Sequence, residues 1–250
     1  MTNKINFVPQ KPKIYKENRI GVTERGDAAI VTEWLEWTKK GNATLLITKD
    51  SKTLYDVLEK NDKEAKYNII IHSNITGYGG TNIEPNVPKP EVSIEYLRKF
   101  VDKYGDDRVV LRIDPIIPYM PHLEKSLKVY ESTRDLDIRV RISFFDNYKH
   151  SYIRMMKVNE QIDQYEFHAP LKLRKELYEK FGRPEMCGEP GFKSVGCISE
   201  IDCKILGVDS LSGSSYQRAH CTCLANKYEL LKEKNPCKHA CKYCYWKDKK

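Results

Sequence analysis

Thr44-Leu-Leu-Ile-Thr48-Lys-Asp-Ser51, followed by Tyr67-Asn-Ile-Ile-Ile-His72, is the stretch that decides the fold. Both apolar runs are short and unbroken by polar alternation, as in strands buried on both faces of a parallel sheet. Between them an amphipathic stretch starts at Ser51, with Asp50 and Ser51 as N-cap candidates. A buried strand, a helix and another buried strand make one βα unit.

The same alternation extends outward. Arg19–Thr23 reads as a strand and Asp27–Lys40 as a helix. Beyond His72 come a glycine-rich loop, Thr76-Gly-Tyr-Gly-Gly-Thr81, and a proline-punctuated segment, Glu84-Pro-Asn-Val-Pro-Lys-Pro90. A helix over Val92–Tyr104 precedes a fourth strand over Arg108–Ile113. Leu123–Thr133 is helical, Ile138–Ser143 is a fifth strand, and Asn147–Lys157 and Pro170–Phe181 are helices. With a sixth strand near residue 185, the expectation is an α/β fold with an open or partial (βα) TIM-type barrel.

Each strand stops on a polar cluster: Thr23-Glu-Arg-Gly-Asp27, Thr48-Lys-Asp50, His72-Ser-Asn74, Arg112-Ile-Asp114 and Ser143-Phe-Phe-Asp146. In parallel βα architectures these ends share one face, where sites are built. Helix N-caps are the competing reading, since Asp27, Asp50 and Asp146 each precede a helix.

The chain has 250 residues, a formal net charge of +8 and eight cysteines. All eight fall from Cys187 onward, which divides the chain into a barrel over 1–183 and a cysteine-rich region over 184–250 that completes it. No apolar run approaches the roughly 20 residues needed to span a bilayer, and the N-terminus lacks a signal-peptide pattern. A cytoplasmic location is expected, with thiols serving as metal or cluster ligands rather than disulfides. Lys227, Lys232, Lys234, Lys238, Lys242, Lys247, Lys249 and Lys250 make the tail basic. That charge suits nucleic acid phosphates or an anionic cofactor, or simply a solvated surface.

The most specific signal is Cys237-Lys-His-Ala-Cys241-Lys-Tyr-Cys244. Three thiolates bind three corners of a [4Fe–4S] cube and leave the fourth iron open. A structural zinc is the alternative, with His239 or Cys223 as its fourth ligand. The Cys-x3-Cys-x2-Cys spacing, with Tyr243 before the last cysteine, resembles the signature of radical S-adenosylmethionine (SAM) enzymes. Its place at the C-terminus is unusual for them.

Together, Thr76-Gly-Tyr-Gly79, Glu84-Pro-Asn-Val-Pro88, Arg112-Ile-Asp-Pro115, Ile142-Ser-Phe-Phe-Asp146, Cys187-Gly-Glu189, Cys197-Ile198, Gln217-Arg-Ala-His-Cys-Thr-Cys223 and the terminal triplet resemble the domain of unknown function 1848 family over about residues 20–246. That family is related to radical SAM enzymes. The sequence departs from the family pattern at Glu24, where a second arginine is usual beside Arg25, and in the stretch after Cys223.

The resemblance implies two clusters: the SAM cluster on Cys237, Cys241 and Cys244, and a second on Cys187, Cys197, Cys221 and Cys223. A structural zinc or reduced thiols are the alternatives at the second site, and Cys203 stands outside the pattern. It also implies a circularly permuted barrel in which the triplet loop replaces the loop after the usual first strand. SAM would then meet Thr23, Glu24 and Arg25, with Glu24 accepting from its amine. Ser73 and Asn74 would lie near its ribose, and Arg112 or Arg141 would pair with its carboxylate. Lys49, Asp114, Ser143 and Tyr243 complete the expected cofactor contacts. The implied chemistry is reductive SAM cleavage and hydrogen abstraction, with electrons from a flavodoxin or ferredoxin. A nucleobase in DNA or RNA, for modification or repair, is one substrate class, with Tyr78, Tyr243, Tyr245 and Trp246 as stacking candidates; a small molecule or nucleotide is the other. The contrasting reading is a non-catalytic zinc or iron–sulfur module that binds nucleic acid or transfers electrons.

Overall fold

The computed structural model describes residues 18–160, 162, 165–211, 220–231 and 237–244. Seven strands form one sheet: β1 (Ile20–Val22), β2 (Thr44–Thr48), β3 (Ile69–Asn74), β4 (Val109–Ile116), β5 (Arg139–Phe144), β6 (Glu185–Met186) and β7 (Lys227–Glu229). Their order is β6-β5-β4-β3-β2-β1-β7 and every pairing is parallel. The sheet curls into a half-barrel. Both of its edge strands come from the cysteine-rich region.

The helices are α1 (Trp34–Thr38), α2 (Ser51–Asn61), α3 (Pro90–Tyr104), α4 (His122–Glu131), α5 (Lys149–Lys157), α6 (Leu171–Lys180) and α7 (Glu200–Leu206). None of those described is long and apolar enough to cross a membrane. Leu54 and Leu58 of α2 and Leu97 and Phe100 of α3 pack on Leu46, Ile69, Ile71, Leu111 and Ile113, the outer face of the sheet. Burying each such side chain contributes about 1.5–3 kcal/mol. On the other face Val22, Leu45, Ile70 and Val110 pack with Ile198, Cys203 and Leu206 from the segment around α7. Alternate residues of each strand therefore line a concave face that is apolar low down and polar toward the C-terminal strand ends.

Three local readings change. The helix expected over Asp27–Lys40 is a series of turns followed by the five residues of α1. Asp27 caps the first of these turns: its Oδ1 accepts from Ala29 N at 2.8 Å, and its carbonyl accepts from Ile30 N and Val31 N at 3.0 Å each. β3 and β4 run further than expected, because Asn74 still pairs with Arg112 and β4 continues past a register shift to Ile116. α7 and β7 are additions. α7 has a capping box, Ser199 with Asp202, that is readable in the sequence.

β7 creates a pH dependence. Burial pushes the Glu229 carboxyl up to about 7 against 4.5, despite bonds from Leu231 N and Arg25 N. A raised carboxyl pKa leaves folding unpenalised below about 4.5 and weakens it as pH rises through about 7. Glu229→Gln is therefore expected to gain stability relative to the parent at pH 8 over pH 5, by about 2 kcal/mol. Denaturant melts at the two pH values measure this, and an equal difference at both would refute it.

Candidate metal centre and polar rim

The triplet loop docks across the C-terminal ends of the strands. Leu230 N donates to Val22 O at 2.9 Å, continuing the β7–β1 edge. Further on, Lys242 N donates to Ile83 O at 2.9 Å and Asn86 Nδ2 to Lys238 O at 2.7 Å. From α5, Ser151 Oγ donates to Tyr243 O at 3.1 Å, and Arg154 donates to Lys242 O at 2.8 Å and to Cys244 O. Cys241 is buried, Cys244 partly buried and Cys237 exposed.

Two buried carboxylates anchor the loop. Asp27 Oδ2 meets His239 Nε2 at 2.8 Å and accepts from Lys49 N at 2.7 Å, while Oδ1 also accepts from Thr48 Oγ1 at 2.7 Å. Burial alone would push this carboxyl up, but the bond and charge of His239, with Lys49 N and Thr48, hold it below the ordinary value. The second carboxylate is Glu84. It accepts from Lys49 Nζ at 2.9 Å, from Thr76 Oγ1 at 2.8 Å and from Tyr243 OH. Burial would lower the Lys49 ammonium, yet Glu84 and then Cys241 raise it above its ordinary value. Lys49 is thus a partly buried cation beside the triplet, 5.3 Å from the Tyr243 ring centroid.

A polar belt crosses the concave face from there. Asn74, Arg112, Arg141 and Glu185 are register partners on β3 to β6. Asp114 is its hub. Its carboxylate accepts from Arg112 and Ser143 Oγ; its carbonyl accepts from Asn74 Nδ2 at 2.9 Å and Lys49 Nζ at 3.4 Å. Arg141 faces the concave side and is fully buried. It binds Glu185 through Nε at 2.8 Å and Cys197 O through NH1 at 3.2 Å, with Asp202 at 3.7 Å.

Beyond the belt, Cys187, Cys197, Cys221 and Cys223 form a separate cluster. Cys187 N donates to Ile142 O at 2.9 Å, placing that thiol at the end of β6. Cys221 and Cys223 Sγ are 3.3 Å apart, Cys197 N donates to Cys223 Sγ at 3.1 Å, and Arg112 NH1 donates to Cys197 Sγ at 3.3 Å. Hydrogen bonds from the Cys187 and Cys223 thiols, with Arg112, hold Cys197 well below the ordinary thiol value. Cys203 packs elsewhere, against Leu206 and Val208.

Among the described residues no group of three or more His, Cys, Asp or Glu is set in a metal-holding arrangement. The fit of a metal therefore rests on the donor set. Three thiols share one eight-residue loop, and four thiols from three segments converge beside a buried arginine. That chemistry suits a metal–thiolate group. Gly196 guards the convergence: a Cβ there would lie 2.5 Å from Cys223 Cα and N. Gly196→Ala is expected to push the 196–197 backbone off Cys223, costing about 2 kcal/mol and weakening the hold of the four thiols on any metal. Metal content and a thermal melt check it, and native values for both would refute it.

The structure brings Lys49, Asn74, Arg112, Asp114, Ser143 and Tyr243 into one connected constellation, and joins Arg141 to it through Cys197. It does not bring in Ser73, which turns to α2 and bonds Ser51 Oγ at 2.6 Å. Thr23 Oγ1 accepts from Ile47 N at 2.9 Å, Glu24 pairs with Lys227, and Arg25 is exposed. Glu24 is therefore engaged within the sheet edge rather than open to an amine. Tyr78 is a core residue, its OH bonded to Ser126 Oγ and Ile117 N at 2.9 Å each. Gln217, Arg218, Lys232, Lys234, Tyr245, Trp246, Lys247, Lys249 and Lys250 lie outside the described residues. The sequence offered His239 as a fourth zinc ligand and carried Asp27 and Glu84 in quoted motifs, but neither carboxylate was read as an anchor of the triplet loop.

No curated protein and no solved structure matches the chain. A family model does, that of the domain of unknown function DUF1848, over residues 31–246. With most of its length matched, the chain belongs to the DUF1848 family.

Proposed function

We propose that this chain is a radical SAM enzyme, in which Cys237, Cys241 and Cys244 hold a [4Fe–4S] cluster and the four-thiol site a second. The observation that carries the reading is the position of the triplet. It follows β7, the strand beside β1, and is pinned over the polar strand ends by Asp27–His239 and Glu84–Tyr243. In strand order the loop thus comes ahead of the first βα unit, as a permuted radical SAM barrel requires. When bound, the cluster and SAM supply reductive cleavage and hydrogen abstraction, chemistry that belongs to the cofactors.

The chain's own residues hold and shield. Asp27 and Glu84 fix the triplet loop. Asn74, Arg112, Asp114 and Ser143 offer donors and acceptors to SAM's polar head, with Arg112 suited to a carboxylate. Lys49 places a partly buried positive charge beside Cys241. A nucleobase in DNA or RNA is the substrate class we carry forward on the basic charge of the tail, and a flavodoxin or ferredoxin the electron donor.

The test is anaerobic purification with iron and sulfide quantification, followed by strong reduction with SAM. About eight irons per chain and formation of 5′-deoxyadenosine support the proposal. Zinc, or iron clusters without SAM cleavage, would overturn it in favour of a non-catalytic metal–thiolate module.

A further inference from the structure

One buried group has no part in the constellation above. His72 of β3 is fully buried, and among the described residues neither of its ring nitrogens has a hydrogen-bond partner. A buried polar atom left without a partner costs about 1–3 kcal/mol, so such a group calls for an explanation. Its place is defined by register. His72 pairs with Val110, two residues before Arg112, and precedes Asn74 by two on its own strand. Its side chain is therefore on the concave face, between the apolar layer of Ile70, Val110 and Ile198 and the belt of Asn74 and Arg112.

The charges acting on it are Arg141, Arg112 and Arg139, and, with opposite sign, Cys197. Burial first, then the arginines, hold the ring well below its ordinary pKa, so it is a neutral imidazole with one N–H donor. The arginines are donors only and cannot accept that proton. Sulfur can. In this structure Cys197 is satisfied by hydrogen bonds from the Cys187 and Cys223 thiols. Metal binding removes those thiol protons, leaving sulfur lone pairs in a buried site that need donors of their own.

We propose that His72 is a positioning residue of the four-thiol site, donating its ring N–H to a sulfur of the metal–thiolate group held by Cys187, Cys197, Cys221 and Cys223. With Arg112 on Cys197 it forms a pair of donors that raises the group's reduction potential, since hydrogen bonds to sulfur stabilise the more negative, reduced state. This rests on the reading that the site holds an iron–sulfur cluster.

The test uses the full chain with Cys237, Cys241 and Cys244 replaced by alanine, so that only the second cluster contributes. Iron, sulfide and electron paramagnetic resonance of the reduced protein first establish that cluster; a background without iron sinks the cluster reading, and the His72 proposal with it. With 15N-histidine label, a weak nitrogen coupling to the cluster is expected, as for a hydrogen-bonded rather than ligated ring. His72→Leu should abolish the coupling and move the potential negative, while His72→Asn, which keeps an N–H, should recover part of the shift. Intact iron with no coupling, a strong coupling from direct ligation, or an unchanged potential in His72→Leu would each overturn the proposal. If His72→Leu does not fold, the coupling in the labelled parent decides alone.

Discussion

Replacing Cys241 with alanine is expected to remove about four irons per chain and to abolish 5′-deoxyadenosine formation. The cause is ligand arithmetic: two thiolates, one of them on exposed Cys237, do not hold a cube that needs three. The fold should survive, because Cys241 is one small member of an apolar cluster that keeps Tyr78, Ile83, Ile117, Phe145, Met155 and Tyr243. The loop would also keep its anchors to Asp27 and Glu84. The four-thiol site lies across the polar belt and should retain its metal. Cys203→Ala is the control, since that thiol packs away from both groups and its loss should change neither iron nor turnover. Metal analysis with product quantification after reduction reads the result, and SAM cleavage at the parent rate in Cys241→Ala would exclude the triplet as the cluster site.

Asp27→Ala is expected to cost about 3–5 kcal/mol of stability. The carboxylate is buried and takes four bonds, from Ala29 N, Thr48 Oγ1, Lys49 N and His239. Those bonds come from three separate segments: the turn after β1, the end of β2 and the triplet loop. Alanine leaves every one of these donors buried without its acceptor, and His239 without its counter-ion. Asp27→Asn keeps an oxygen acceptor and loses the ion pair, so its loss should be smaller. A double-mutant cycle with His239→Ala separates the contribution of the loop anchor from that of the β1–β2 turns. Denaturant unfolding of the metal-free protein is the measurement, and a loss under about 1 kcal/mol would mean that the His239 pair is no more than a surface-type ion pair.

Hydrophobic pattern made much of the architecture legible. The runs at Thr44–Thr48 and Tyr67–His72 are strands because an apolar segment of that length with polar ends has few other stable states. β6, expected near residue 185, is two residues long and has no apolar run of its own. The helix expected over Asp27–Lys40 is only the five residues of α1 after a series of turns, a shortening that the apolar spacing of the stretch does not report. Lys49, Asn74, Arg112, Asp114, Ser143 and Tyr243, picked out by their places at strand ends and in the triplet, lie in one connected constellation. Ser73 is one step of strand alternation away, on the opposite face, where it bonds Ser51. Asp27 and Glu84 were not read as loop anchors because that part comes from their burial against His239 and Tyr243, across more than 150 residues of chain.

What the amino-acid sequence determined alone is the parallel βα character and the polar ends of the strands, because each is written in spacing over a few residues. Only the tertiary structure decided that a three-residue strand near the C-terminus pairs with β1, that Arg141 turns inward, and that four cysteines from three segments meet at Arg112. Those outcomes depend on which strands become neighbours and on where a buried charge finds its partner. Such choices are made by burial and long-range pairing, to which no local stretch of sequence has access.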